Sequence, residues 1–186
     1  MSGDRPPARG TDLARLLLRT AIGGTMIVHG LRHGRTLDGT AGWFRSIGFR
    51  EPRLQAGLSA AVEIGGGAAL VAGAATPLAA SSVVGTMAVA ARAVHQPNGF
   101  FVNAEGYEYV ANLAVASVAL AALGPGRWSV DAALGLGSRD GGRRAAAVAA
   151  GLGLAGAALQ LAVYWRRPAP APGADGSGDA TTGDAR

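Results

Sequence analysis

The chain has 186 residues, with 17 basic and 12 acidic side chains, every basic one an arginine, and a net charge of +5. Hydrophobic residues make up 49% of it but aromatics only 5% and charged residues only 16%, against roughly a quarter in soluble domains, so a bilayer suits it better than water. The absence of cysteine excludes disulfides, thiol catalysis, cysteine-held clusters and covalently attached c-type haem, and arginines gathered at the ends of apolar runs argue against nucleic acid as a partner.

Residues 1–12 are polar and rich in Pro and Gly, and read as a loose tail. Residues 13–31 are apolar, broken early by Arg15 and Arg19 and late by His29. The two arginines lie one helical turn apart near the segment's end, where long side chains reach the headgroups. The flank His29-Gly30-Leu31-Arg32-His33 offers no small-residue cleavage site, so a retained helix is expected rather than a signal peptide. The polar connection 32–53 alternates Trp43, Phe44, Ile47 and Phe49 with Arg45, Ser46 and Arg50, which suits an amphipathic turn or two at the interface. Pro52 ends it.

Residues 54–75 are long enough for the hydrocarbon core and hold one charge, Glu63. Thr76-Pro77 makes a tight turn, and residues 78–94 return as the second arm of a hairpin, ending near Arg92. His95-Gln96-Pro97-Asn98-Gly99-Phe100-Phe101 is a turn signal flanked by aromatics. The apolar run 109–123 is short of the ~20 residues a span needs. It is therefore predicted to begin near Glu105, its first turn lining something polar, and to stop at Gly124-Pro125-Gly126. A polar linker over 132–144 leads to a fifth apolar segment, 145–165, closed by Arg166 and Arg167. Residues 166–186 have the composition of a disordered tail. There is no internal repeat.

The predicted fold class is an all-α membrane protein: a four-helix transmembrane bundle over 13–131 plus a fifth C-terminal transmembrane helix. Thirty glycines are many for helices. Gly65-Gly66-Gly67, Gly73, Gly151, Gly153 and Gly156 fit close helix approach in a membrane, where no hydrophobic force draws helices together; the alternative is compositional bias. Orientation stays open, because the arginines divide evenly between the two sides.

Alternating helices bring His29, Arg92, His95, Glu105, Glu108 and Asn112 to one side, with Asn98 in the turn between. Glu63 lies about 13 Å deeper at 1.5 Å per residue. The opposite side, at Thr76-Pro77 and Gly124-Pro125-Gly126, shows no comparable group. A charge near mid-membrane costs roughly 3 kcal/mol and usually faces a cavity or a partner. Glu63 is thus either a proton-accepting or ligand-orienting carboxylate, or one half of a structural pair with Arg92 or a histidine. His29 and His95 allow three readings: partners for Glu63, donors to a quinone-like headgroup, or axial ligands of a b-type haem. The ligand spacing does not define a metal site, and no nucleophile–base pair or phosphate loop is present. The candidate ligand-binding set is His29, Glu63, Arg92, His95, Asn98, Glu105, Glu108 and Asn112, with no catalytic residue assigned.

His29-Gly30, then Glu63-Ile64-Gly65-Gly66-Gly67, His95 through Phe101, Gly106-Tyr107-Glu108-Tyr109 and Gly124-Pro125-Gly126-Arg127-Trp128-Ser129-Val130-Asp131 follow one another in an order and at separations that resemble the DoxX family of small bacterial integral membrane proteins. The resemblance covers roughly residues 13–131. It implies a four-helix bundle in the bacterial cytoplasmic membrane, associated in some members with redox complexes that include quinone-reducing assemblies. On that basis the expected function is a membrane subunit of a redox-linked system that binds a quinone-like or other small ligand at the polar cluster, with a redox partner subunit. The alternatives are a non-enzymatic scaffold recruiting a soluble partner through segments 32–53 and 95–108, or a small-molecule or proton pathway. The fifth segment lies outside the family core.

Overall fold

The computed structural model describes residues 9–136 and 142–168. Most of the N-terminal tail, the middle of the 132–144 linker and nearly all of the C-terminal tail lie outside the described residues.

Among the described residues the chain is helical throughout, in the order α1 (Arg9–Arg35), α2 (Leu37–Ser46), α3 (Pro52–Ala72), α4 (Thr76–Ala90), α5 (Glu108–Leu123), α6 (Val130–Ala133) and α7 (Gly142–Tyr164). Helix α4 runs on through a π turn, Ala91–His95, and a short 3-10 turn, Gln96–Asn98. Three helical stretches are long and apolar enough to cross a membrane: Pro52–Ala72, Thr76–Asn98 and Gly142–Tyr164. α5 is apolar but has 16 residues. α1 has 27 residues and carries the charges that lower its hydropathy.

The pattern of apolar residues located every long helix, but not its ends. α1 begins at Arg9 and continues to Arg35, four residues beyond the apolar run, because backbone hydrogen bonding outlasts hydropathy. α5 starts at Glu108, not near Glu105 as predicted: Glu105 is left-handed (φ +60°) and ends the 3-10 turn Val102–Ala104.

α1 packs along α3, α3 on α4, α4 on α5, and α5 back on α1, while α7 lies outside this ring against α4 and α5. Small residues allow the close approaches. A side chain at Gly67 would meet the Gly23 carbonyl at 2.6 Å, and one at Gly153 would meet the Ser81 carbonyl and Val84 at 2.7 Å. Gly65, Gly151 and Gly156 face open space and serve no packing of this kind. The core holds Ile22, Met26, Leu70, Val83 and Leu120, all nearly inaccessible.

The amphipathic element between α1 and α3 is α2, which buries Thr40, Ala41 and Phe44 and packs on α3. Its exit is pinned to the end of α7: Arg50 N–H donates to the Tyr164 carbonyl (2.8 Å) and Trp165 Nε1 to the Ile47 carbonyl (2.8 Å).

The end of the bundle around the α3–α4 turn is not polar-poor, as the sequence reading expects. Arg19 is 2% exposed and wrapped by carbonyls instead of reaching headgroups. Its Nη1 donates to Pro125 (2.6 Å) and its Nη2 to Trp128 (2.7 Å) and Val71 (3.1 Å). Asp131 accepts from the N–H groups of Ala75 (2.7 Å) and Thr76 (3.0 Å) and from Thr76 Oγ1 (2.9 Å), capping the free donors at the start of α4. Gly73 closes α3 with φ +65°, where any side chain would also strike Arg19 and Ser129. These partners lie 52–109 residues from Arg19 along the chain, too far for local sequence patterns to pair them.

Candidate functional site

The other end of the bundle holds a cavity of about 370 Å³. Helix periodicity places Met26, His29 and His33 of α1 on one face, three and four residues apart, and all three line it. Thr25 and Arg32 of α1, Trp43 from α2, Glu63 from α3, Thr86 and His95 from α4 and its π turn, and Tyr109 from α5 complete the polar and aromatic lining.

Glu63 is 3% exposed. Ser59, one turn earlier on α3, donates its hydroxyl to Glu63 Oε1 (2.7 Å). The second carboxylate oxygen, Oε2, lies 3.1 Å from His33 Nδ1, in an alignment too poor for a hydrogen bond. Both atoms are buried and without a hydrogen-bond partner among the described residues. The His33 ring is 22% exposed, stacks with Trp43 (centroids 6.5 Å apart) and meets His29 edge-on at 6.4 Å. On its outer side His33 lines a vestibule with Arg32, Thr36, Thr40 and Trp43. It thus stands between the buried carboxylate and the exterior.

Of the candidate set, the structure brings His29, Glu63 and His95 to the cavity. Arg92 does not pair with Glu63; its guanidinium lies 4.6 Å from the ring centroid of Trp165, beyond the end of α7. The π turn separates Arg92 from His95 in this way, and such turns recur at functional sites. Asn98 donates to the Glu105 carbonyl (3.3 Å), which also lies 2.7 Å from His95 Nδ1, so Glu105 contributes its backbone to the loop. Glu108 accepts from Val102 N–H (3.0 Å) and folds the same loop, and Asn112 is exposed outside the lining.

Sequence reasoning missed His33, Ser59 and Thr86. The histidine pair at positions 29 and 33 carries the one-turn spacing that would have found His33, but α1 was expected to end at Leu31. Among the described residues no three His, Asp or Glu side chains gather as a metal-binding group.

Apolar helices with a buried polar cluster at each end define a multi-pass helical membrane protein. Residues 14–96, from α1 through the π turn, match the DoxX family of small integral membrane proteins. The matched stretch contains His29, His33, Glu63, Arg92 and His95, but neither α5 nor α7. No curated protein and no solved structure matches the chain.

Proposed function

We propose that this protein is an integral subunit of a redox-linked system in a bacterial cytoplasmic membrane, and that the Glu63 cavity binds a quinone-like headgroup. In this reading α1, α3, α4 and α5 form the spanning bundle and α7 is a fifth span.

The observation that carries the proposal is the buried contact of Glu63 Oε2 with His33 Nδ1, 3.1 Å apart without an aligned hydrogen bond, on two residues that line one cavity. A buried polar atom without a partner costs about 1–3 kcal/mol, more when charged. A carbonyl or hydroxyl head with matching donors and acceptors relieves that cost on binding. The cavity volume lies within the range of about 300–1,000 Å³ usual for small-ligand sites.

When bound, such a head supplies two-electron redox chemistry coupled to proton uptake. The chain's own residues hold and move the proton. Ser59 fixes the Glu63 carboxyl, Glu63 presents a proton-exchanging oxygen to the cavity, and His33 links it to the vestibule. In this reading a redox partner subunit supplies the electrons.

Glu63→Gln tests the site. Binding of a soluble quinone analogue to the purified protein is expected to weaken at least tenfold, and unchanged affinity would remove Glu63 from the mechanism.

A second reading, a scaffold recruiting a soluble partner, draws on the exposed side chains of Phe100, Phe101 and Val102 in the loop after α4. Substituting Phe101 with Ser would then abolish partner capture and leave analogue binding intact.

A further inference from the structure

The Glu63 cavity does not end at Glu63. A smaller space of about 80 Å³ runs between α3 and α4 beneath α2, and shares His33, Trp43, Glu63 and Thr86 with the cavity. On its far side it shares Phe44, Ser59, Thr86 and Val89 with a groove of about 330 Å³. That groove has Leu58 and Val62 of α3 as one wall and Gly156 and Leu159 of α7 as the other.

Thr86 borders all three spaces. The groove walls are apolar and open outward: Leu58 is 49% exposed, Val62 42% and Leu159 66%. In a bilayer that outward side meets lipid tails. The Gln160 to Gln55 hydrogen bond (2.8 Å) bridges the two walls.

Resting on the function proposed above, we infer that the ligand is amphipathic and reaches its site from the bilayer. Its polar head sits at Glu63 and His33, and its hydrocarbon tail leaves through the gap between α3 and α4 into the groove that α7 walls.

The geometry favours an exit of this kind, because the vestibule beyond His33 is lined by Arg32, Thr36 and Thr40, whereas the groove is mostly apolar. A head held at a carboxylate that is 3% exposed must pass its tail through some gap in the bundle, and the adjoining spaces line up past Ser59 and Thr86 toward the groove. The passage is polar where it meets the head and apolar where it meets the lipid. α7 lies beyond the residues that match the DoxX family, so the match does not speak to the groove wall it supplies. The tail gains little from being moved out of lipid into an equally apolar groove. What the groove offers is a route, and blocking the route is what should be felt.

Gly156 permits a clean block. A Cβ added there meets nothing within 4 Å, so Gly156→Leu can extend into the groove from an unobstructed start. Val62→Trp narrows it from the opposite wall. Both variants are compared with the wild-type full chain in lipid nanodiscs, with thermal unfolding as the check on folding. The probes are decylubiquinone and its tailless dimethoxy-methyl-benzoquinone ring.

Both variants are expected to weaken decylubiquinone binding about tenfold and to leave the tailless ring unchanged, whereas Glu63→Gln weakens both probes. If both groove variants bind decylubiquinone as the wild type does, the tail route is overturned and the head site stands. If neither probe binds the wild type in a Glu63-dependent way, the quinone-like head fails, and the tail route fails with it.

Discussion

The two ends of this bundle use buried polar groups in opposite ways. At the Arg19 end, one guanidinium collects three carbonyls from two separate segments, and both oxygens of Asp131 are engaged. Arg15 Nε, Arg19 Nε and Asp12 Oδ2 are the atoms left over there, on side chains that are otherwise bonded. At the Glu63 end, a carboxylate oxygen and a ring nitrogen face each other 3.1 Å apart without a hydrogen bond, in a wall of open space. The first arrangement holds helix ends together. The second keeps its bonding capacity for something else.

The comparison is broken most severely at the bonded end. Arg19→Met leaves three buried carbonyls without their donor, and is expected to cost about 3 kcal/mol, read as lower resistance to unfolding in detergent. Asp131→Ala frees two backbone donors and a hydroxyl at the start of α4 and should cost about 2 kcal/mol. Neither should change ligand affinity in the protein that remains folded. Gly67→Val, which drives a side chain into the Gly23 carbonyl and Met26, should cost a similar amount, about 2 kcal/mol, by parting α1 from α3.

Glu63→Gln should behave in the reverse manner. The amide keeps an acceptor for Ser59 and removes a buried charge, so stability should move by less than about 1 kcal/mol in either direction. Ligand affinity should fall at least tenfold. A large loss of stability with unchanged affinity would make the two ends alike, and both structural.

The apolar segments and Glu63 were legible from the sequence because hydropathy over a bilayer length and a lone carboxylate within it are local signals. Arg19 was legible as a residue but not as a knot, since the carbonyls it binds come from Val71, Pro125 and Trp128. His33 was hidden by a boundary: hydropathy stops at Leu31, whereas the helix continues to Arg35 and turns His33 onto the face of His29. Arg92 and His95 looked equivalent until the π turn sent one toward Trp165 and the other to the cavity. Hydropathy reads a helix's environment, whereas a change of helical pitch leaves no mark in the apolar pattern of a single segment.

His33 gives the smallest and most discriminating effect. Its side chain bridges the vestibule and the cavity, and an imidazole can both accept and release a proton. His33→Gln preserves a polar group of similar reach but cannot carry a proton. If the pair is a relay, affinity for a quinone analogue should change by no more than about threefold. Proton-coupled turnover with the proposed partner subunit should slow by about tenfold, and its pH profile should change shape. If His33 only props Glu63 in place, the same variant should weaken affinity and thermal stability together and leave the shape of the pH profile unaltered. The split between affinity and rate therefore decides whether the unsatisfied contact at 3.1 Å is a proton path or a loosely made version of the knot at the opposite end.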